Sequence, residues 1–409
     1  MTQLRQEVDP GEAGLDAKAL DRLDQHFAHY VDEGRLPGYL VAVARSGRVA
    51  HLTTHGRRDV AAGLPVEPDT LWRIYSMTKP VTTVAALILV EEGRLSLDDP
   101  LARYLPAFAE PRVYESGSGA DVRTRPASGP ILIRHLLTHT AGLTFGFYHS
   151  HPVDALYRAA GLESSVVPGT NLAETVDVYA GLPLQFEPGT EWNYSVATNV
   201  LGRVVEVVSG QPLDAFFAGR VLGPLGMTDS GFHVTDEQAP RLAELYGETE
   251  GCGIEPVPGL PLRGRPRLLS GSGGMVASAH DMHRFMEFLR RRGELDGVRL
   301  LKAETVDLMT ENHLPGGAAL RAFGSRPVHD EPNNEGVGFG LGVSVVIDPD
   351  RTPTPSSLGT YGWSGAASTT FWVDPRRELT VQFMTQVRPK TPLGVIPDLR
   401  RLVHEAVTG

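Results

Sequence analysis

The chain has little cysteine and little positive charge. Its 409 residues contain one cysteine, Cys252, which excludes an intrachain disulfide framework and a cysteine-based zinc finger. Lys and Arg number 38 against 49 Asp and Glu, so the formal net charge is −11. Because nucleic acids and anionic membranes bind proteins mainly through positive charge, we expect neither as a partner.

Long hydrophobic runs are also missing. The longest, 81–90, is interrupted by two threonines and is far shorter than the ~20 residues of a membrane span. The first residues, MTQLRQEVDPGEAG, lack the apolar segment of a signal peptide. These observations predict a cytoplasmic protein with no membrane partner.

The predicted strands lie near both ends of the chain, and most predicted helices lie between them. Apolar spacing predicts helices over 16–33, 76–92, 135–139, 199–209, 278–291 and 393–407. Alternation and turn residues predict strands over 39–44, 49–54, 338–347, 369–374 and 379–385. The segments 109–130, 145–170 and 313–335 are predicted loops. The simplest arrangement is an α/β domain formed by 1–75 and 276–409, with a mostly helical domain, 76–275, inserted and a binding cleft between them.

The most informative motif is Ser76-Met77-Thr78-Lys79 at the start of the most apolar predicted helix. Residues three apart share a helix face, so the Ser76 hydroxyl and the Lys79 amine should lie close together. Burial lowers the pKa of a lysine and favours a neutral amine that can accept the serine proton. Alone, such a short motif is more often a capping serine beside a solvated lysine. The apolar surroundings favour a nucleophile and its base.

Two later segments carry groups that could complete such a site. Tyr194 follows a Pro-Gly turn and precedes a helix, and its hydroxyl could act as general acid or base. The segment 362–366, Gly-Trp-Ser-Gly-Ala, leads into a predicted strand, whose edge could donate a backbone N–H to an oxyanion. Taken singly, each segment also fits an ordinary buried tyrosine or a glycine-containing strand end.

Together and in this order, Ser76–Lys79, Tyr194-Ser195 and 363–365 resemble the serine β-lactamase and penicillin-binding-protein superfamily. Within it, the chain is most similar to the class C-type branch and to the family VIII carboxylesterases. The stretches 95–100, 133–143, 224–227 and 273–276 support this resemblance, which extends from about residue 15 to 405. It implies an α+β fold in which an antiparallel sheet is flanked by helices, with the active site in the cleft beside the helical domain.

The resemblance also implies a mechanism through an acyl-enzyme. Ser76 would be the nucleophile, and Lys79 and Tyr194 the proton-transfer pair. The backbone N–H groups of Ser76 and Ala366 would form the oxyanion hole. The acyl group would pass from an ester to Ser76 and then to water, without a metal or organic cofactor.

Two positions depart from the β-lactamase pattern. Val196 stands where Tyr-x-Asn has asparagine, and Trp363 stands where Lys-Thr-Gly has lysine. These changes remove a cation for a substrate carboxylate and an amide for an acyl amide. They therefore favour uncharged short- to medium-chain carboxylic esters over penicillins, although weak β-lactam hydrolysis stays open.

The substrate pocket is less well defined by the sequence. Its predicted residues are Trp363, Ser364 and Gly365 of the strand segment, together with the aromatic residues Phe145, Tyr148 and Trp192. The aromatic residues fit ordinary packing equally well.

A different reading would make Ser364 the nucleophile of an α/β-hydrolase elbow, with Asp374 and His404 following in the usual order. An elbow must lead from a strand into a helix, whereas Ser364 leads into strand-like sequence, so this reading is disfavoured. The histidine pairs His135/His139 and His149/His151 lack a third metal ligand and are expected to have loop or capping roles.

Other functions remain open at this level. An acyltransferase would use the same residues with an acceptor other than water, and a D-aminopeptidase-type amidase or a β-lactamase would also share them. A non-catalytic binding relative is less well supported, because Ser76, Lys79 and Tyr194 are all present. A small-molecule ester is the expected partner, and a homo-oligomer is compatible with the sequence.

Overall fold

The structure is a computed structural model that describes residues 3–163, 169–250, 253–260, 262–324, 335–388 and 394–408. Cys252 and most of the C-terminal half of the predicted loop 313–335 lie outside these residues. Within them, none of the helices is long and apolar enough to cross a bilayer.

The centre of the fold is an eight-stranded antiparallel sheet with the order β12-β13-β14-β15-β16-β1-β2-β3. Its strands are β1 (Gly38–Arg45), β2 (Arg48–Asp59), β3 (Leu64–Pro65), β12 (Val337–Phe339), β13 (Ser344–Val346), β14 (Tyr361–Ser364), β15 (Thr370–Asp374) and β16 (Leu379–Met384). The N-terminal strand β1 pairs with the C-terminal strand β16, with Leu40 opposite Met384. The predicted sheet, formed from both ends of the chain, is therefore present.

In the part of the chain that the structure describes, nine further short strands form smaller ribbons. They are β4 (Leu71–Arg73), β5 (Arg112–Ser116), β6 (Arg123–Pro126), β7 (Tyr246–Glu248), β8 (Ile254–Pro256), β9 (Val276–Ser278), β10 (Glu294–Leu295), β11 (Val298–Arg299) and β17 (Val387–Arg388). The β4–β9 ribbon matters most for the site, because the chain passes from β4 directly into the segment that carries Ser76.

Within the described residues, eleven α-helices cover the sheet and fill the middle of the chain. They are α1 (Ala17–Asp32), α2 (Thr78–Glu91), α3 (Ile133–Leu137), α4 (Pro152–Ala159), α5 (Leu172–Ala180), α6 (Ala197–Ser209), α7 (Leu213–Phe217), α8 (Ala279–Arg290), α9 (Ala303–Thr310), α10 (Leu320–Phe323) and α11 (Val395–Ala406). Helix α2 is buried along nearly its whole length, as its apolar sequence predicts.

The alternation of side chains along β1 separates two hydrophobic cores. Tyr39, Val41 and Val43 belong to the core beneath α1 and α11. Leu40 and Ala42 belong to the larger core that also contains α2, α6 and α8. The sheet is therefore buried on both faces, and the larger core joins it to the helices on the Ser76 side.

Several predicted loops contain regular structure, so those predictions are wrong in detail. Residues 109–130 include the β5–β6 hairpin, whose mostly exposed residues give no apolar alternation. Residues 145–170 include α4, and 313–324 include α10. The predicted strand 338–347 is a hairpin of β12 and β13 rather than one strand. The boundaries proposed for the two domains stay a prediction.

Candidate active site

Ser76 lies in a 3-10 turn, Tyr75–Met77, between β4 and α2. Its side chain does not cap α2, whose N-cap residue is Met77, so the capping alternative is wrong. The preceding Tyr75 has φ of 42°, which is uncommon for a bulky residue and is a type of backbone strain found often at functional sites. This turn leaves the Ser76 side chain partly exposed at the cleft.

Lys79 lies one helical turn after Ser76, with only 2% of its surface exposed. Its Nζ donates to Ser76 Oγ at 3.1 Å and to the carbonyl oxygen of Ser272 at 2.8 Å. Burial lowers the pKa of Lys79, and the neighbouring Tyr194 opposes this shift. No ion pair to Lys79 occurs among the described residues, so no carboxylate fixes the amine in its charged form.

Tyr194 approaches Ser76 from the loop before α6. Its hydroxyl donates to Ser76 Oγ at 2.7 Å, and Lys79 Nζ lies 4.6 Å from the centre of its ring. The three side chains predicted to be catalytic therefore meet at one oxygen atom, although Tyr194 is 118 residues from Ser76 in the sequence.

Strand β14 forms the opposite side of the site. Trp363 lies with its indole Nε1 3.5 Å from the Tyr194 hydroxyl, and the two rings are 5.4 Å apart. Trp363 thus occupies the wall of the site with an apolar ring and a single N–H donor, where a lysine would place a cation.

Gly365 brings the end of β14 against the Ser76 turn. A Cβ at this position would lie 2.5 Å from the carbonyl oxygen of Ile74, so only glycine fits without movement of the backbone. Its N–H is bonded to the carbonyl of Thr369. Among the described residues, the N–H of the next residue, Ala366, donates to no backbone carbonyl. This arrangement suits an oxyanion donor at Ala366.

The predicted aromatic residues have different exposures. Phe145 and Trp192 are buried, at 4% and 3% exposure, and their ring centres lie 5.5 and 6.4 Å from that of Tyr194. Tyr148 is half-buried and donates from its hydroxyl to the carbonyl of Tyr194 at 3.0 Å. Phe147, which the sequence analysis did not select, is 47% exposed and stacks on Phe145 with ring centres 4.8 Å apart.

Two supporting residues, His139 and Asn199, could not be recognised from the sequence. His139 is buried against the Tyr194 ring, with ring centres 4.9 Å apart. Asn199 accepts the N–H of Ser272 at 3.0 Å through its Oδ1 and so holds the carbonyl that binds Lys79. Their partners are distant in the sequence, so neither residue has a spacing signal that could have revealed it.

The competing elbow is not assembled. Ser364 ends β14 and is followed by a turn into β15, with no helix, and its Oγ lies 2.9 Å from the hydroxyl of Thr370. Asp374 accepts the hydroxyl of Ser357, while His404 contacts Arg377. These three residues have separate partners and do not form a triad.

The histidine pairs have structural partners. Nδ1 of His135 accepts the N–H of Leu132 at 3.1 Å, and Nδ1 of His151 accepts the N–H of Val153 at 3.1 Å. Across the described ranges, no cluster of three or more His, Cys, Asp or Glu side chains is arranged to hold a metal ion.

A serine hydroxyl between a buried lysine and a tyrosine, next to the end of one strand of an antiparallel sheet, defines a candidate site for serine acyl transfer. The model of the beta-lactamase family matches residues 23–405, and the chain belongs to this family. The family and the fold predicted from the sequence are therefore confirmed.

Three relatives illustrate the relationship. Esterase EstB of Burkholderia gladioli is 34% identical over 398 residues, covering 92% of this chain and 93% of EstB. The lovastatin esterase of Penicillium rubens is 32% identical over 381 residues, covering 87% and 90% of the two chains. The solved structure of EstCE1, described as a hydrolase with promiscuous acyltransferase activity, has 32% identity and a TM-score of 0.79, covering 96% of this chain and 99% of EstCE1.

Proposed function

We propose that this protein is a serine hydrolase that cleaves carboxylic esters through an acyl-enzyme on Ser76. The observation that carries the proposal is the contact of Ser76 Oγ with both Tyr194 Oη, at 2.7 Å, and Lys79 Nζ, at 3.1 Å. Membership of the beta-lactamase family and the similarity to esterase EstB support the same class of enzyme.

In the first step, Ser76 Oγ attacks the ester carbonyl carbon while its proton moves to the neutral Lys79 amine, either directly or through the Tyr194 hydroxyl, which takes up the serine proton as it gives its own to Lys79. The lowered pKa of Lys79 favours a neutral amine, and the short Oγ–Oη contact offers a path to the phenol. The proton then passes to the leaving alkoxide, and the alcohol departs. In the second step, water attacks the acyl-enzyme, with its proton taken up by the same pair, and the acid and free Ser76 are released.

The negative charge of each tetrahedral intermediate needs donors placed in advance. We propose the backbone N–H groups of Ser76 and Ala366 for this role. The close approach of Gly365 to Ile74, next to the Ser76 turn, supports this placement.

The substrate is proposed to be an uncharged ester of short to medium chain, as in the family VIII carboxylesterases. Trp363 offers an apolar wall beside Tyr194, and Ser364 and Gly365 extend the strand edge along which the acyl group would lie. Phe145, Tyr148 and Trp192 would support the pocket. Because Trp363 cannot pair with a carboxylate, β-lactam hydrolysis should be weak.

Acyl transfer to an alcohol is the second candidate activity. It is favoured by the 32% identity to EstCE1, which is described as having promiscuous acyltransferase activity. Both activities share the acyl-enzyme, so adding an alcohol to the ester assay would divide the product between free acid and new ester. A cytoplasmic location and a homo-oligomeric state stay predictions. The alternatives of an amidase and of a non-catalytic binding protein stay untested as well.

The test is hydrolysis of p-nitrophenyl butyrate beside a chromogenic cephalosporin, with covalent labelling by a fluorophosphonate. We expect ester turnover, little cephalosporin turnover, and a label on the peptide that contains Ser76. Ser76→Ala should lose both turnover and label, whereas Ser364→Ala should still be labelled, because its hydroxyl is not the nucleophile. Substantial turnover by Ser76→Ala, or a label on Ser364, would contradict the proposal.

A further inference from the structure

One residue, His139, holds the backbone on both sides of Tyr194. Its carbonyl oxygen accepts the N–H of Asn193 at 3.0 Å, and its ring atom Nδ1 accepts the N–H of Ser195 at 3.3 Å. The Oγ of Ser195 lies 3.2 Å from the same Nδ1 and accepts the N–H of Ala197 at the start of α6. The short Tyr194 loop is therefore fixed between His139 and α6.

The conformation of His139 limits which residues could replace it. It follows α3 with φ of 57°, in the left-handed region where His and Asn are enriched among non-glycine residues. Its side chain is 1% exposed, and its ring meets the ring of Tyr194 edge to face. A replacement must accept this backbone conformation and also place a hydrogen-bond acceptor where Nδ1 lies.

The protonation state of His139 follows from its partners. A backbone N–H can only donate, so Nδ1 must be an unprotonated acceptor, and the neutral ring carries its proton on Nε2. Burial, together with the charge of Lys79, lowers the pKa of His139 well below 6.5. The neutral ring therefore keeps its hydrogen bond to the Tyr194 loop without placing a positive charge beside the Lys79 amine.

We propose that His139 is a positioning residue for acyl transfer, which keeps the Tyr194 hydroxyl within proton-transfer distance of Ser76. It acts through Tyr194 and not on the substrate. The inference rests on the proposed function, because it needs Tyr194 to move a proton during turnover. Small displacements of a reacting group cost rate far more than they cost binding.

The test compares two polar substitutions that differ in where the acceptor lies. In His139→Asn the side-chain oxygen is as many bonds from Cα as Nδ1, whereas in His139→Gln it is one bond further away. We expect His139→Gln to lower kcat on the order of 10²-fold and His139→Asn to lower it by about threefold or less. KM should change by less than about threefold in both, because substrate binding is unaffected.

His135→Gln is the matched control, since His135 also uses Nδ1 to hold a backbone N–H but does so at the start of α3. It should leave kcat unchanged, and melting temperatures should be recorded for all variants. Unchanged kcat in both His139 variants, with an active wild type, would overturn this inference alone. If His139→Gln and His139→Asn lose kcat to the same extent and both also lose melting temperature, His139 has only a structural role and the inference is overturned. A wild type without ester turnover would overturn the proposed function and this inference together.

Discussion

Two buried cations stand on either side of the Ser76 turn and behave differently. Arg73 on β4 is 8% exposed and Lys79 on α2 is 2% exposed. Burial lowers the pKa of both groups. Within the described ranges, neither forms an ion pair. Arg73 donates through one terminal nitrogen to the carbonyl of Ala243, and its Nε has no partner.

The difference lies in what each group can do once water is removed. A guanidinium stays charged in proteins, so burial leaves Arg73 as a fixed cation. A lysine amine can lose its proton when buried, so the same environment makes Lys79 a base. Position also separates the two groups, because of the two only Lys79 contacts the Ser76 hydroxyl. A buried cation is therefore a catalytic candidate only where its chemistry and its contacts agree.

The largest effect should come from Lys79→Arg, which puts a permanently charged guanidinium, like that of Arg73, in place of the proposed base. Because a guanidinium cannot accept the serine proton, kcat for p-nitrophenyl butyrate should fall on the order of 10⁴-fold. Lys79→Ala should lose most of the rate too, with an intact fold by circular dichroism. A Lys79→Arg enzyme with more than about a tenth of the wild-type kcat would show that no base is needed at this position.

Tyr194→Phe tests whether proton transfer from Ser76 needs the Tyr194 hydroxyl in addition to the Lys79 amine. Removing the hydroxyl 2.7 Å from Ser76 Oγ should lower kcat by roughly 10²–10⁴-fold, measured by steady-state kinetics on the same ester. The ring and its packing remain, so the melting temperature should change little. A rate close to that of the wild type would mean that the proton moves through Lys79 alone.

The lowered pKa of Lys79 should also appear in the stability of the protein. Between its folded pKa and 10.5, the unfolded chain binds more protons, so the free energy of unfolding contributed by this group rises with pH. Lys79→Met removes this term. Its stability gain over the wild type should therefore be largest at low pH and shrink as the pH rises toward 10.5, as measured by urea unfolding. A gain that does not vary with pH would contradict a lowered pKa.

The smallest effect on activity is expected from Arg73→Lys. The guanidinium donates to the carbonyl of Ala243 and, among the described residues, forms no hydrogen bond to Ser76, so kcat should change by less than about threefold. A lysine in this buried place can become neutral, so unfolding should acquire a new pH dependence that the wild type lacks. A large loss of kcat in a folded Arg73→Lys protein would contradict the conclusion that Lys79 takes part in catalysis and Arg73 does not.

Local spacing predicted the contacts that lie within one helical turn. Ser76 and Lys79 meet because they are three residues apart at the start of a helix, and the apolar sequence of α2 indicates its burial. The long-range part of the site came from family resemblance and not from periodicity, because nothing near Tyr194 in the sequence specifies which serine it will meet.

What the sequence could not reveal are contacts made through backbone groups. The N–H of Ser195 meets the ring of His139 across 56 residues, and any residue type would present that N–H. The β5–β6 hairpin was missed for a different reason: Val113 is its only buried residue, so its two strands show no alternation of apolar and polar residues.

The pairing of β1 with β16 sets a condition on synthesis of the protein by the ribosome. The hydroxyl of Thr385, just after β16, donates to the carbonyl of Gly38 at the start of β1, across 347 residues of chain. At typical elongation rates, β1 must wait roughly 20 to 70 s for this neighbour. During that time the edge of β1 that will pair with β16 has no partner, so the central sheet can be completed only after nearly the whole chain has been made.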